Sequence, residues 1–479
     1  MKYFTVGWRP RIKLAEEKMH FHNGDTLLIA NEFNEYLNLE CGLCEVQIKK
    51  PAEVLNEEAE NLTKYAIIIY VLEKNSNDIT EPFFLSRRIC STIATEETRF
   101  IVISLTGDAV HWTTLGPIRE FHLGRKRKNI FIDNSERIPL PKLIPSVLDV
   151  DEEVLFTMRN SLLSMIYAEE SAGSSDVYLG KTVAVVGGTG AIGSTYVEML
   201  KKKAGVENIV ILSRKANRAL CGPGVSAFTL DIKDEESMRK TLDEIYMRYG
   251  RVDTIIHAAG EATTRSLEKD IPSMLNVLLP KLSGITNVLN YLNSRKVQLD
   301  NLIMASSLSS TVALQGNEDY AAANIFMDAL ALNGHPRVNK ITSIQWPAWS
   351  SAGMASTFEH NELHSLLMRT SISPQAAKRA VRETLGLTGV VAYSPLSPFE
   401  IRKMLEKAQL AGERLNVADN VSEDKGSLKD KIADIWKEVL GVTVDDELDF
   451  FNNGGNSLSA LRVVFRGSAI PYIYRIKQG

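Results

Sequence analysis

The chain of 479 residues has little of several features that mark specialised classes of protein. Apolar runs such as residues 65–72 fall far below the roughly 20 residues that a membrane-spanning helix needs. The net charge is only −4, which gives no electrostatic reason to expect a nucleic-acid partner. The opening MKYFTVGWRPRIK lacks the apolar core of a secretory signal. We therefore expect a cytoplasmic protein without a membrane or nucleic-acid partner.

Cysteine is also scarce, with four residues in the whole chain. Cys41 and Cys44 form a CxxC pair, but no second pair and no histidine cluster accompanies it in the sequence. A zinc or redox site would need further ligands or a different context. The sequence therefore predicts a protein in a reducing compartment, with no metal site.

The first 150 residues alternate short apolar runs with polar or helical stretches. Strands are predicted at residues 3–8, 26–30, 66–72, 100–105 and 130–133. Such alternation is typical of a parallel sheet with crossover helices. Gly107 follows a strand but no GxGxxG pattern accompanies it, so we expect an α/β domain without its own cofactor. The apolar spacing also predicts helices over 152–170 and within 361–410.

A glycine-rich turn at residues 181–193, KTVAVVGGTGAIG, follows a predicted strand and opens a predicted helix. This is the context in which GxGxxG binds a dinucleotide, because glycines allow close approach to the pyrophosphate and the helix N-terminus favours its charge. The cofactor-binding candidates in the turn are Gly187, Gly188, Thr189, Gly190, Ile192 and Gly193. Taken alone, the pattern also fits a glycine-rich turn without a ligand.

The ends of the following strands refine the cofactor hypothesis. The strand at 208–212 ends in Ser213-Arg214-Lys215 and not in an acidic residue, which favours the 2′-phosphate of NADP over the ribose of NAD. A basic residue in a surface loop is the plainer alternative. Further strands at 227–230 and 254–257 deliver the remaining candidates, Asp231, Ile232, Ala258, Ala259 and Gly260. The first two suit an adenine edge, and the small residues leave room for the cofactor.

Four polar residues follow at informative spacings. Tyr320 and Asn324 are four apart and share a helix face. Ser307 ends the predicted strand 301–305, thirteen residues before the tyrosine, and Lys281 lies on the preceding helix. Each residue alone has an ordinary structural explanation: a buried tyrosine, a capping serine or a solvated lysine. Their combination downstream of a dinucleotide turn favours a functional site over these ordinary explanations.

These motifs resemble the ketoreductase domain of modular polyketide synthases, within the short-chain dehydrogenase/reductase superfamily. The matching pieces are GGTGAIG, LSRK, HAAG, PKLSG, ASSLSS, YAAANIFMDALA and WPAWSSAGMAS. In that family asparagine replaces the usual lysine four residues after the tyrosine, as Asn324 does here, and the lysine is displaced, as Lys281 is. YFTVGWRP at the start resembles the opening of the family's non-catalytic structural subdomain. The resemblance covers about residues 1–400.

The resemblance implies an α/β fold with two Rossmann-like parallel-sheet subdomains. Residues 1–150 would be the structural subdomain and residues 151–410 the catalytic one. It also implies NADPH-dependent reduction of a β-keto group, with Tyr320 as general acid and Ser307 as hydrogen-bond donor to the same oxygen. Lys281 would lower the pKa of Tyr320, and Asn324 would position Lys281 or a relay water. The family's Leu-Asp-Asp is Ala262-Thr263-Thr264 here, so the product's configuration stays open.

The tail resembles a thiotemplate carrier domain. Residues 411–426 are polar and predict a linker. Residues 427–479 begin with an amphipathic helix and continue as FFNNGGNSLSALRVVFR, where Ser457 matches the serine that carries 4′-phosphopantetheine. A plain N-cap serine is the alternative. The pattern breaks off after Arg466, so we expect a small, truncated all-α carrier domain that a phosphopantetheinyl transferase modifies inefficiently.

Three functions compete on this sequence. The first is an NADPH-dependent ketoreductase that acts on an acyl chain tethered to a carrier domain, alongside other synthase domains. The second is a catalytically silent structural or docking fragment of such a synthase, against which the complete set of four polar residues argues. The third is a free-standing dehydrogenase for a small diffusible substrate, against which the carrier-like tail and the N-terminal half argue.

Overall fold

The computed structural model describes residues 1–14, 26–31, 46–58, 61–73, 78–93, 98–122, 129–148, 150, 153–159, 161–174, 177–261, 268–312, 316–349 and 371–406. Ser457 and the whole predicted carrier domain lie outside these ranges, as do Cys41 and Cys44. The described residues up to Ile401 belong to one compact unit. None of the helices in the described ranges combines the length and apolarity needed to cross a bilayer.

The N-terminal half is a parallel sheet with helices, as its alternating sequence predicts. Its strands are β1 (Lys2–Lys13), β2 (Thr26–Ile29), β3 (Val46–Lys49), β4 (Ile67–Leu72), β5 (Arg99–Ser104), β6 (Ile130–Asp133), β7 (Val154–Met158) and β8 (Ser161–Glu170). Its helices are α1 (Pro51–Leu55), α2 (Glu81–Thr92), α3 (Leu115–His122) and α4 (Leu140–Val147). Strands β3, β2, β4, β5, β6 and β7 lie side by side in that order and run parallel. All six residues of β4 are buried, as expected for a strand covered on both faces.

The helix predicted over 152–170 is wrong. This stretch forms the antiparallel hairpin of β7 and β8, paired from Leu155 with Ser164 to Met158 with Ser161. Arg159 reverses the chain with a φ of +48°. β8 also pairs along β1, at the other end of this half of the sequence. A strand depends on such cross-strand neighbours, which local periodicity does not reveal.

The C-terminal half has the strand order of a dinucleotide-binding fold. Its strands are β9 (Thr182–Val186), β10 (Asn208–Leu212), β11 (Val225–Phe228), β12 (Thr254–His257), β13 (Leu299–Ser307), β14 (Val338–Trp346) and β15 (Gly389–Ser394). Its helices are α5 (Ala191–Leu200), α6 (Glu235–Tyr249), α7 (Ile271–Arg295), α8 (Glu318–Asn333) and α9 (Pro374–Thr384). The strands are parallel in the order β11, β10, β9, β12, β13, β14, β15. The order reverses beside β9, and ligands bind at such a switch point.

Strand β15 lies within the stretch 361–410 that the sequence predicted to be helical. That prediction is wrong for residues 389–394, where GVVAYS carries the β-branched and aromatic residues that suit a buried strand. The helical part of the prediction is met by α9, which begins at Pro374 with the Ser373 side chain accepting a hydrogen bond from the amide of Ala376. Strand β11 also begins two residues before the predicted start at 227.

One strand joins the two halves into a single sheet. β1 lies between β15 and β8 and runs antiparallel to both. The strand predicted over residues 3–8 is too short, since β1 continues past Pro10 to Lys13 with an irregularity between Pro10 and Ile12. Because β7 is antiparallel to β8, the two sets of parallel strands run in opposite directions. The fold is therefore α/β with two Rossmann-like sets of parallel strands, as the sequence predicted, joined in one sheet.

Candidate active site

The glycine turn between β9 and α5 is shaped by two very close approaches. Gly187 has a φ of +77°, and a Cβ there would lie 2.6 Å from the amide nitrogen of Ala259. A Cβ on Gly193 would lie 2.2 Å from the carbonyl oxygen of Gly187. Gly190, the N-cap of α5, is exposed, and a Cβ there would meet only the carbonyl oxygen of Gly187, at 3.4 Å. The turn therefore presents an open helix N-terminus, a favourable place for a phosphate group.

A cleft of about 240 Å³ opens in front of this turn, at the carboxyl ends of β9, β10 and β12. Ten of the predicted cofactor residues line it: Gly187, Thr189, Gly190, Ser213, Arg214, Asp231, Ile232, Ala258, Ala259 and Gly260. Gly188, Ile192 and Gly193 are not in the lining. The lining also contains Lys233, Glu261 and Pro280, which the sequence reasoning missed. Glu261 could have been suspected because it directly follows HAAG.

Polar side chains gather at the end of the cleft where β10 stops. The hydroxyl groups of Thr189 and Ser213 lie 2.6 Å apart, and the amide of Lys215 donates to the Ser213 hydroxyl at 3.2 Å. The guanidinium of Arg214 pairs with the carboxylate of Glu261. The Arg214 guanidinium, the Ser213 hydroxyl and the Glu261 carboxylate therefore lie together at a place where an anionic group of a ligand could bind to the guanidinium.

Lys281, Asn324 and Tyr320 are brought together as the sequence predicted. The ammonium of Lys281 donates to Asn324 Oδ1 at 2.5 Å and to the carbonyl oxygen of Ala305 at 3.3 Å. Asn324 in turn donates from Nδ2 to the carbonyl oxygen of Tyr320 at 2.7 Å. Lys281 Nζ also lies 5.1 Å from the centre of the Tyr320 ring. Pro280, the residue before Lys281, lines the cleft, so this cluster adjoins the candidate cofactor site.

Ser307 completes the group at the end of β13. Its hydroxyl is an N-cap for the following short 3-10 turn, accepting from the amide of Ser309 at 3.2 Å. Hydrogen bonding by Ser307 and Asn324 acts to lower the pKa of the Tyr320 phenol, which indicates that both side chains lie beside it. The four predicted residues therefore come from three separate elements, β13, α7 and α8, and meet at one place.

The electrostatics of this group differ from the sequence-based expectation. Burial raises the pKa of Tyr320. Hydrogen bonding by Ser307 and Asn324 acts to lower that pKa but does not outweigh the effect of burial. The net pKa of Tyr320 is therefore raised by burial, and the lowering influence of Lys281 stays a prediction. Lys281 is 3 % exposed, and its burial lowers its own pKa to about 7. The lysine is thus only partly charged at neutral pH, and it lies over the ring face.

The strand order and the glycine turn place the C-terminal half in a class: the Rossmann-like dinucleotide-binding folds. Comparison with known proteins narrows the class. Residues 181–351 match the model of the KR domain family. This stretch is therefore a KR domain, and the resemblance to ketoreductase domains of modular polyketide synthases is confirmed.

Two curated relatives show the extent of the likeness. Polyketide synthase GfsA from Streptomyces halstedii is 29 % identical over 216 residues, which is 43 % of this chain and 3 % of that protein. Polyketide synthase PksN from Bacillus subtilis is 26 % identical over 316 residues, 57 % of this chain and 6 % of that protein. The chain thus spans only a few per cent of the length of these relatives.

Solved structures show that the likeness in fold extends into the N-terminal half. The ketoreductase from the first module of phoslactomycin biosynthesis in Streptomyces sp. HK803 superposes with a TM-score of 0.62 at 19 % identity. The match covers 83 % of this chain and 94 % of that one. At this identity the comparison concerns the fold alone, and it agrees with the two-part sheet described above.

Proposed function

We propose that this chain catalyses the NADPH-dependent reduction of a carrier-tethered β-ketoacyl thioester to the β-hydroxyacyl thioester. The observation that carries the proposal is the meeting of Ser307, Tyr320, Lys281 and Asn324 beside the cleft. Buried, hydrogen-bonded groups whose pKa values are shifted by their surroundings are typical of sites of proton transfer. A silent structural fragment would have no physical need for a buried lysine in such a site, because an uncompensated buried amine destabilises the fold.

The cleft fits a nicotinamide dinucleotide. The exposed N-terminus of α5 at Gly190 suits the pyrophosphate, and Asp231 and Ile232 suit the adenine edge. Ser213 and Arg214 would hold a 2′-phosphate, which favours NADPH over NADH. When bound, this cofactor supplies the hydride.

The side chains of the chain supply the proton and hold the substrate oxygen. Because burial raises the pKa of Tyr320, its phenol keeps its proton at neutral pH and can donate it to the carbonyl oxygen. Ser307 donates a second hydrogen bond to that oxygen. Asn324 holds Lys281, whose pKa of about 7 suits it to supply the next proton at neutral pH.

The same proposal includes two kinds of partner: the acyl carrier domain that brings the substrate, and other domains of a polyketide synthase. The relatives are polyketide synthases of much greater length, which supports other synthase domains as partners. The β-keto chain would arrive on the 4′-phosphopantetheine arm of an acyl carrier domain. Ser457 would be the attachment site on this chain, with a phosphopantetheinyl transferase adding the arm.

The test is oxidation of NADPH, followed by absorbance, with a β-ketoacyl thioester of a small thiol and with a free ketone as comparison. Tyr320→Phe should abolish turnover while leaving NADPH affinity nearly unchanged, because the phenol proton is lost and the cleft is not. Tyr178→Phe, at a tyrosine that is 67 % exposed, is the matched control. Turnover that persists in Tyr320→Phe would refute the catalytic assignment. A wild-type chain that oxidises no NADPH with either substrate would favour the silent fragment.

A further inference from the structure

Helix α3 of the N-terminal half packs directly on α8, the helix that carries Tyr320. The two helices approach closely at Gly116. A Cβ at this position would lie 2.4 Å from the carbonyl oxygen of Glu318 and 2.8 Å from the Cβ of Ala322. Only glycine allows this contact, so α3 sets the position of the first turns of α8.

Arg119, one turn further along α3, binds the stretch of chain that follows Ser307. Its guanidinium donates to the carbonyl oxygen of Ser310 and to the carboxylate of Glu153 at 3.0 Å. The arginine side chain is only 3 % exposed. A buried guanidinium divided between two acceptors fixes both, because losing either contact leaves a buried charge poorly solvated.

Glu120, the next residue, binds the chain just before Tyr320. Its Oε1 accepts the amide of Gly316 at 2.9 Å. Burial raises the pKa of Glu120 to about 9, and a hydrogen bond to Glu318 adds to the effect. Burial beside Glu318 thus favours the protonated form of Glu120, and its Oε1 accepts from Gly316 in either form.

The same start of α8 is held by two further ion pairs. Arg87 of α2 donates to Glu318 at 3.0 Å. Lys269 lies 2.7 Å from Asp319, whose Oδ1 also accepts the amide of Tyr320 at 2.7 Å. The N-terminal half thus contributes charged side chains to both ends of the connection between the serine and the tyrosine.

We propose that Arg119 and Glu120 are positioning residues for the reductase site. By holding Ser310 and Gly316 from one rigid helix, they fix the distance between the Ser307 hydroxyl and the Tyr320 phenol. This inference rests on the proposed function, because the spacing matters for a carbonyl oxygen that both groups must reach. The N-terminal half thereby influences the reductase site through two adjacent side chains, Arg119 and Glu120.

The positioning role predicts a specific kinetic pattern. The cleft for the cofactor is formed by the start of α5 and the ends of the strands around it, and neither Arg119 nor Glu120 is among its lining residues. Loss of the hydrogen bond to Gly316 should therefore lower kcat and leave the Kd for NADPH unchanged. A misplacement of catalytic groups by a fraction of an ångström to 1 Å lowers turnover by roughly tenfold to a hundredfold.

The experiment compares Glu120→Gln with Glu120→Leu. Glutamine keeps an oxygen that can accept from Gly316, and it has an amide group in place of the second carboxyl oxygen. It should keep near wild-type kcat, whereas leucine, which has neither group, should lose roughly tenfold or more. Arg119→Lys, which keeps the charge but not the forked donors, should also lower kcat. Ile101→Val removes a buried methyl group from the same half and controls for a general loss of stability.

Amide hydrogen exchange gives a second readout that does not depend on activity. Exchange of the Gly316 amide should accelerate in Glu120→Leu and stay slow in Glu120→Gln and Ile101→Val. A wild-type chain without turnover would refute the proposed function, and this exchange measurement would still decide the positioning role. The inference is overturned if Glu120→Leu keeps wild-type kcat and exchange, if Glu120→Gln loses as much kcat as Glu120→Leu, or if Ile101→Val matches Glu120→Leu.

Discussion

Replacing Lys281 with methionine should change how the stability of this protein depends on pH. Burial lowers the pKa of Lys281 from 10.5 to about 7 in the folded chain, whereas the unfolded chain keeps the ordinary value. Between about pH 7 and 10.5 the unfolded state therefore binds one more proton than the folded state. The free energy of unfolding gains about 1.4 kcal/mol per pH unit from this group as the pH rises through that window. Below about pH 7 both states are protonated and the contribution is flat.

Lys281→Met removes this linkage. Its free energy of unfolding, taken relative to wild type, should fall by about 1.4 kcal/mol for each unit of pH between about 8 and 10, and by ~5 kcal/mol over the whole window. Losing the hydrogen bonds to Asn324 and Ala305 adds a cost that does not vary with pH. Other titrating groups cancel in the difference between the two proteins.

Urea unfolding followed by tryptophan fluorescence, at about pH 7, 8 and 9, measures this difference. Lys240→Met, which removes an exposed lysine from α6, is the control and should run parallel to wild type. If the Lys281→Met curve also ran parallel to wild type, Lys281 would carry its full charge in the folded protein. The reasoning from its burial would then be refuted.

Two further predictions concern the cofactor cleft. Gly193→Ala should destabilise the fold by about 1–3 kcal/mol, because its Cβ would overlap the carbonyl oxygen of Gly187. Gly190→Ala should keep the wild-type melting temperature, because its Cβ meets that oxygen only at 3.4 Å. Equal melting temperatures for the two variants would contradict this prediction. Arg214→Ala should weaken NADPH binding in titration calorimetry by about tenfold or more and leave NADH binding unchanged. Glu261→Gln should strengthen NADPH binding, because Arg214 loses a competing carboxylate. Unchanged affinity for NADPH in both Arg214→Ala and Glu261→Gln would rule out a 2′-phosphate site here.

The parts of the fold that sequence predicts well are those determined by local chemistry. The glycine turn is one example, since its close approaches involve residues within a few positions and allow only glycine. β9, β10 and β12 are others, because a short apolar β-branched run between turn residues leaves few alternatives. Tyr320 and Asn324 were placed on one helix face by their spacing alone.

The parts that sequence missed depend on partners far away in the chain. The hairpin of β7 and β8 was predicted as a helix because its strands become strands only through pairing with β1. Helix α3 carries no motif, yet Arg119 and Glu120 touch Ser310 and Gly316, about 190 residues later. Nor does spacing show burial, which raises the pKa of Tyr320 and lowers the pKa of Lys281.

The central position of β1 has a consequence for how the chain folds during synthesis. At about 5–20 residues per second, the ribosome takes roughly 20–80 s between completing β1 and completing β15. β8 is made much earlier and can cover one edge of β1, which leaves the other edge of Lys2–Thr5 open until β15 arrives. An open strand edge is a template for pairing with other chains. The nascent N-terminal half should therefore need protection until the last strand of the sheet takes its place.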